Sequence, residues 1–331
     1  MNKLRTGVVG VGGLGRHHLR WYSQIAESEL VGFYDIDPEK QKQYADEYKI
    51  QAFQTIEELA NNIDAVSIVV PTSLHYEVAQ ILIKKSVHCL IEKPVTTSIE
   101  QAEELKQLAI EKNVKVTVGQ IERFNPAVIA VKESGAMPAF IEAHRLAAFD
   151  PRGTDVAVVL DLMIHDIDLV LHLVKSKVTD IQASAIAVIS EQVDIANARV
   201  TFDNGTVANL TASRISLNAM RKLRIFQKSG YFSLDLAKKQ ADIYQLSDGK
   251  KTEGAMVLPL GKSGKNLAYQ KKSDTGVDML GNELTTFLKA VIDDKPVAVT
   301  IDEASEALRI ALEVERIGKE SSAKMLQTEL R

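Results

Sequence analysis

The sequence predicts an α/β chain of two domains: an N-terminal doubly wound parallel sheet, then an α+β domain with an open, mostly antiparallel sheet. Three observations carry that prediction. Short apolar runs alternate with amphipathic helical patterns up to residue 120, closely spaced β-rich segments follow, and a tight-turn sequence, Asp203-Asn204-Gly205, separates two of those segments. A chain of 331 residues also exceeds what one hydrophobic core ordinarily organises. We therefore place the boundary between residues 1–120 and 121–331.

The N-terminal runs are TGVVG (6–10), LVGFYDI (30–36), a weaker KIQAF (49–53), AVSIVVP (65–71), VHCLIEK (87–93) and VKVTVGQ (114–120). Their near-continuous Val and Ile content suits strands buried on both faces of a parallel sheet. Amphipathic stretches such as IEQAEELKQLAIEKN (99–113) lie between them. Ser98 and Gln101 form a capping-box pattern at its start, and Glu100 places acid in the first turn, where the helix dipole favours it. Repetition of strand and helix implies right-handed crossovers.

Beyond residue 120, VAVVLDLMIHDIDLVLHLV (156–174) is too long for an ordinary strand and reads as a helix. Strands are expected at 181–190, 197–202, 206–213, 222–227, 231–236 and 241–246, with the Asp-Asn-Gly turn favouring an antiparallel hairpin. Residues 250–276 are polar and Gly-rich, an expected loop or extended excursion, and helices are expected near 278–293 and 302–319.

Composition excludes several classes. Apolar residues are 45%, charged residues 25% and the net charge is −4, a soluble globular profile without the basic surface that nucleic acid requires. No apolar run approaches the ~18 residues of a membrane span. The N-terminus carries no hydrophobic signal core. One cysteine, Cys89, excludes an internal disulfide framework and a multi-thiolate metal site. The expected location is the cytoplasm.

Residues 10–15 read GVGGLG, a G-x-G-x-x-G pattern that follows a predicted strand and opens a helix. That context marks a dinucleotide-binding Rossmann turn. Gly10 permits the tight turn, Gly12 lets pyrophosphate approach the backbone, and Gly15 allows close helix–sheet packing; Gly13 and Leu14 complete the loop at the helix N-terminus. Asp35, 20 residues past Gly15 and followed by Ile36, can accept the adenosine ribose hydroxyls and repel a 2′-phosphate. The expected cofactor is therefore NAD rather than NADP. Asp37 before Pro38 reads as a helix cap.

Ligands of open α/β sheets bind beyond the carboxyl ends of the strands. Pro71, Thr72 and His75 after the fourth strand, and Glu92 and Lys93 after the fifth, belong to that rim. Lys93 can hydrogen-bond a substrate hydroxyl and ease its deprotonation, although an isolated Glu-Lys-Pro is ordinarily a solvated turn. In the second domain Asp161 and His165 stand four residues apart, on one helical face, with Asp168 nearby. A histidine suits proton transfer near neutral pH, and the carboxylate can orient it. Zinc ligation is the competing use of such a pair, but no third protein ligand is evident and none is expected.

In this order, Gly10, Gly12 and Gly15, Asp35, the Pro71-to-His75 turn and Glu92-Lys93-Pro94 resemble the Gfo/Idh/MocA oxidoreductase family. The resemblance extends over nearly the whole chain. It implies a Rossmann domain followed by an α/β domain whose open sheet mediates homodimers or homotetramers, with oxidation or reduction of sugars, inositols or nucleotide sugars. It also implies that Lys93 contacts the cofactor region and the reacting hydroxyl, His165 accepts the proton and Asp161 orients.

IERFNP (121–126), AFDPRGTD (148–155) and NLTASRIS (209–216) place Arg123, Asn125, Arg152 and Arg214 as candidate substrate contacts. Arginine forks match phosphate oxygens, although scattered arginines are commonly solvated and Asn125 before Pro126 is a natural helix cap. Together, IERFNP, DPRGTDV, LDLMIHDIDLVLHLV, DIANARVTF and NLTASRIS are most similar to the branch of the family acting at C3 of UDP-N-acetylglucosamine. That likeness implies a place in lipid A biosynthesis beside a pyridoxal-phosphate aminotransferase. Two alternatives stay open: an inositol or free-sugar dehydrogenase of the same family, and a catalytically silent NAD(H)-binding sensor.

Overall fold

A computed structural model describes residues 3–150, 156–247, 254–260, 265–274 and 276–329, with side chains up to residue 323. The chain divides into two compact units, Met1–Ile121 with Asp278–Leu308, and Glu122–Val277 with Arg309–Arg331. A boundary drawn at residue 120 leaves 278–308 in the second domain, whereas their contacts belong to the first unit.

The first unit holds strands β1 (Leu4–Val9), β2 (Ser28–Tyr34), β3 (Gln51–Ala52), β4 (Ala65–Ile68), β5 (His88–Glu92) and β6 (Val116–Gly119). They form one parallel sheet in the order β3-β2-β1-β4-β5-β6. Helices α1 (Gly15–Tyr22), α2 (Pro38–Tyr48), α3 (Ile56–Ala60), α4 (Thr72–Lys84) and α5 (Ile99–Lys112) connect them. The order reverses between β1 and β4, and that switch point is where a doubly wound sheet opens a crevice. Local chemistry sets the helix starts: Asp37 accepts N–H bonds from Glu39 and Lys40 with Pro38 at the first position, and Ser98 accepts from Gln101.

Helix α8 (Met279–Ile292) completes this unit's core. Its Leu280, Leu284, Phe287 and Leu288 pack with Val8, Leu19, Tyr22, Phe33 and Leu90. Each such side chain, once buried, contributes about 1.5–3 kcal/mol. Gly281 lets α8 close on Trp21: a Cβ there would stand 2.9 Å from the indole ring.

A 3-10 turn at Ile121–Phe124, where the second unit begins at Glu122, leads into α6 (Pro126–Glu133), then β7 (Phe140–Leu146). After a π-helical turn (Val159–Met163) come α7 (Ile164–Val174), β8 (Val178–Ile186), β9 (Ile195–Phe202), β10 (Val207–Ser213), β11 (Met220–Gln227), β12 (Gly230–Asp235), β13 (Gln240–Ser247), β14 (Met256–Pro259) and β15 (Asn266–Ser273). The strands make one sheet ordered β14-β15-β13-β12-β11-β7-β10-β9-β8. Pairing is antiparallel except between β7 and β10. Two expectations are corrected here. Part of the predicted loop 250–276 is strand, because β15 pairs with β13 along Gln240–Ser247. Helix α9 (Ile301–Glu329) is longer than 302–319.

Alternation assigns the faces of this sheet. Ile141, Ala143 and Arg145 of β7 are buried with Leu223 and Ile225 of β11, on the side where α6 and α7 pack. On the opposite side Phe140, Phe226, Tyr231, Tyr244 and Tyr269 stack across five strands with neighbouring ring centroids 4.3–5.9 Å apart. Among the described residues no helix is long and apolar enough to cross a membrane.

Candidate active site

The loop between β1 and α1 is built by its glycines. Gly10 has φ +86, and a Cβ there would lie 2.5 Å from the Val69 carbonyl oxygen. At Gly15 a Cβ would lie 1.9 Å from the Gly10 carbonyl oxygen, so only glycine lets α1 start this close to the turn. Gly12 and Gly13 differ: no heavy atom lies within 4 Å of where a Cβ would stand. Their backbone faces open space at the start of α1, as close approach by a pyrophosphate requires.

Asp35 ends β2 almost fully buried, at 7% exposure. One carboxylate oxygen accepts the Val11 N–H at 2.7 Å and the other the Asp37 N–H at 2.9 Å. The side chain thus ties the glycine loop to the β2 end, and each oxygen retains a further lone pair for a ribose hydroxyl. These features fit a dinucleotide: Gly12 and Gly13 would lie along its pyrophosphate and Asp35 beside its ribose. Ile36 is 86% exposed, and Leu14, half-exposed, precedes α1. Both offer apolar surface at the rim.

Pro71 and Thr72 begin α4 at the carboxyl end of β4. His75 is one turn on, its ring buried between two main-chain carbonyls, with Nδ1 2.8 Å from the Pro94 oxygen and Nε2 2.9 Å from the Val70 oxygen. Burial lowers its pKa, opposed by those carbonyls and by Glu92. Glu92 likewise faces inward, with its Oε1 3.2 Å from Nε2 of the buried His18. Both groups thus have partners within the first unit. Lys93 lies between them in the chain, and the Lys93–Pro94 peptide is cis.

In the second unit Asp161 lies in the π-helical turn and His165 in the first turn of α7, both partly exposed. Between them the chain passes from a π turn, which closes on i, i+5, into the α-helix. Two ion pairs fix the inner face of α7. Arg123 donates to both oxygens of Asp168, at 2.8 and 2.7 Å. Arg145 donates to both oxygens of Asp166, at 3.0 and 2.8 Å, and to Glu122 at 2.9 Å. All five side chains are under 8% exposed. Burial alone would lower the Arg145 pKa, but the two carboxylates more than offset it and carry it upward.

The candidate substrate contacts fare differently. Arg123 is engaged by Asp168, so its fork points into the unit. Asn125 is fully buried: Oδ1 accepts the Ala127 N–H, while Nδ2 donates to Glu122 and the Leu236 carbonyl, a cap for α6. Arg214 donates to the Val156 carbonyl and sits 3.9 Å from Asp194. Burial demands partners, and each of these three side chains finds one within the unit. Arg152 lies outside the described residues. Sequence reading missed Arg145, His18 and Gly119; the alternating pattern FIEAHRL of β7 is the signal that places Arg145 on the inner face.

Comparison with known proteins fits this architecture. Residues 4–120 match the profile of the Gfo/Idh/MocA oxidoreductase family with an NAD-binding Rossmann fold, and 139–233 match the Gfo/Idh/MocA C-terminal domain. The chain is 38% identical over 320 residues to the UDP-N-acetylglucosamine 3-dehydrogenase of Acidithiobacillus ferrooxidans, covering 95% of this chain and 97% of that one. An inositol 2-dehydrogenase of Rubrobacter xylanophilus is 29% identical over 189 residues, 54% of each chain. The solved structure of the Acidithiobacillus enzyme matches with a TM-score of 0.87 at 36% identity, covering 97% of this chain and 99% of that one. A scyllo-inositol dehydrogenase of Lactobacillus casei, with bound NAD(H) and scyllo-inositol, has a TM-score of 0.78 at 18% identity, covering 96% and 98%, and shares the fold. With both domains matched in order and a relative this similar along almost its whole length, the chain belongs to the Gfo/Idh/MocA family of NAD-binding oxidoreductases.

Proposed function

We propose that this protein oxidises the C3 hydroxyl of UDP-N-acetylglucosamine to a ketone. The observation that carries the reading is the 38% identity to an enzyme of that activity over 95% of the chain. Oxidation breaks the C3–H and O–H bonds and forms the carbonyl; NAD⁺, when bound, takes the hydride. The unit that contains residues 1–120 is the proposed cofactor domain, and the other unit, within 121–331, is the proposed substrate and self-association domain. Lys93 donates an N–H bond to the reacting oxygen, His165 receives the hydroxyl proton, and Asp161 orients the imidazole. Arg152 keeps its proposed role at the diphosphate on sequence grounds.

The aromatic stripe on the nine-stranded sheet supports a homodimer or homotetramer built through that face, since its rings are only partly buried and contiguous aromatic surface favours association. The proposed setting is the cytoplasm and the lipid A pathway, with an aminotransferase consuming the ketone.

The test is NADH formation with UDP-N-acetylglucosamine, with glutamate and a pyridoxal-phosphate aminotransferase withdrawing the ketone. Parallel reactions hold free N-acetylglucosamine, glucose and myo-inositol. Turnover confined to the UDP-sugar is expected; turnover confined to a free polyol overturns the substrate and leaves the family intact.

A further inference from the structure

Two buried histidines act on the residues that flank Lys93 in the chain. His18, on α1, has no exposed surface, and its Nε2 lies 3.2 Å from Glu92 Oε1. This is ion-pair range, although the angle is not that of a hydrogen bond, and the ring's Nδ1 finds no partner among the described residues. Gly119 of β6 supplies the adjoining wall: a Cβ there would stand 3.0 Å from the Glu92 carboxyl. On the other flank His75 reaches from α4 to the Pro94 carbonyl at 2.8 Å while also meeting the Val70 carbonyl at 2.9 Å.

Apolar side chains would fill both places without desolvating an imidazole. Instead an imidazole is buried on both sides of one residue. A lysine has four methylenes between backbone and charge, so its ammonium is placed reproducibly only if the backbone beneath it is fixed. A misplacement of about 1 Å at a reacting centre can lower a rate about 100-fold.

We propose that His18 and His75 are positioning residues for Lys93, the first acting through the Glu92 carboxylate and the second through the Pro94 carbonyl. His18 does so from the helix that opens at Gly15, so the segment bearing the glycine loop and the segment bearing the lysine are fastened together. The inference rests on the reading of Lys93 as the group that meets the reacting hydroxyl.

The experiment uses the full-length protein and variants His18→Leu, His18→Gln, Glu92→Gln, His75→Leu and His75→Gln. Lysines are reductively methylated with ¹³C-formaldehyde, and the Lys93 resonance is identified by its loss in Lys93→Met. The Leu variants are expected to shift that resonance and its titration midpoint. They should lower kcat about 100-fold while NADH binding, followed by fluorescence, changes less than threefold. Each Gln variant, which keeps one donor, should recover most of both readouts. His18→Leu combined with Glu92→Gln should be no slower than the slower single variant, because both act through one contact. An unmoved Lys93 resonance, or a kcat loss that follows only the loss of folded protein and is not recovered by Gln, overturns the proposal for that histidine. The resonance needs no turnover. If no sugar is oxidised, the substrate reading fails while the spectrum still decides whether the histidines hold Lys93.

Discussion

Arg123 and Asp168, 45 residues apart, meet through two parallel hydrogen bonds of 2.8 and 2.7 Å, both side chains almost sealed from solvent. The pair joins the 3-10 turn before α6 to the inner face of α7, the helix that carries His165. Removing one partner breaks a buried ion pair, which costs about 3–5 kcal/mol. Asp168→Asn is therefore expected to lower the unfolding midpoint in urea markedly. Arg123→Met with Asp168→Leu should recover much of the loss. A role for Arg123 at the substrate predicts the reverse: a raised KM for the sugar with little change in stability.

The glycine loop separates two kinds of glycine. Gly15→Ala drives a Cβ into the Gly10 carbonyl at 1.9 Å and should destabilise the fold. Gly12→Ala adds a methyl where the protein has open space, so the thermal midpoint should hold within a degree or two. NAD⁺ affinity should nonetheless fall at least about tenfold, or ~1.4 kcal/mol. Thermal melting and NADH fluorescence titration on both variants check this, and unchanged affinity in Gly12→Ala would remove the pyrophosphate from this loop.

Asp35 presents a carboxylate where a 2′-phosphate would lie. The kcat/KM for NAD⁺ should exceed that for NADP⁺ by more than about tenfold, or ~1.4 kcal/mol. Asp35→Asn keeps an acceptor for the Val11 N–H while removing the charge, so it should narrow that ratio. Initial rates with the two cofactors decide, and equal values in the parent protein would contradict the role.

Lys93→Met removes the ammonium while keeping the length of the side chain. NADH binding should persist and turnover should drop at least about 100-fold, the scale of a lost acid–base group. His165→Asn should act on kcat in the same direction. Turnover at the parent rate in either variant would take that residue out of the mechanism.

Acid should destabilise the first unit through His88. Its Nδ1 accepts the Lys115 N–H at 2.9 Å, and burial, followed by the Lys115 charge, lowers its pKa below the ordinary value. The unfolded chain therefore binds the proton more tightly. The contribution is fully present above about pH 6.5 and is lost as pH falls through the lowered folded value. His75 and His17, also shifted downward chiefly by burial, act with the same sign. Urea midpoints from pH 8 to pH 5 should decline, with a shallower slope in His88→Asn, which keeps an acceptor and cannot titrate. An identical slope would exclude His88 as a source.

Much of this protein was written in local pattern. The six parallel strands follow from continuous Val and Ile runs, the caps of α2 and α5 from Asp37-Pro38 and Ser98, and the cofactor turn from the spacing of Gly10, Gly12 and Gly15. Each depends on residues a few positions apart, so backbone sterics and hydrogen bonding act within the reach of the pattern. The tertiary structure alone decided which charged groups face inward. The partners of Arg123, Asn125 and Arg214, namely Asp168, Leu236 and Val156, are brought to them across 45, 111 and 58 residues. It also decided that α8 completes the first unit, through Leu284 and Phe287 against α1, and that His18 and His75 close around the Lys93 turn. Such pairings arise when burial removes water as the alternative partner, and a polar side chain must then take whatever group the fold delivers, however distant in the chain.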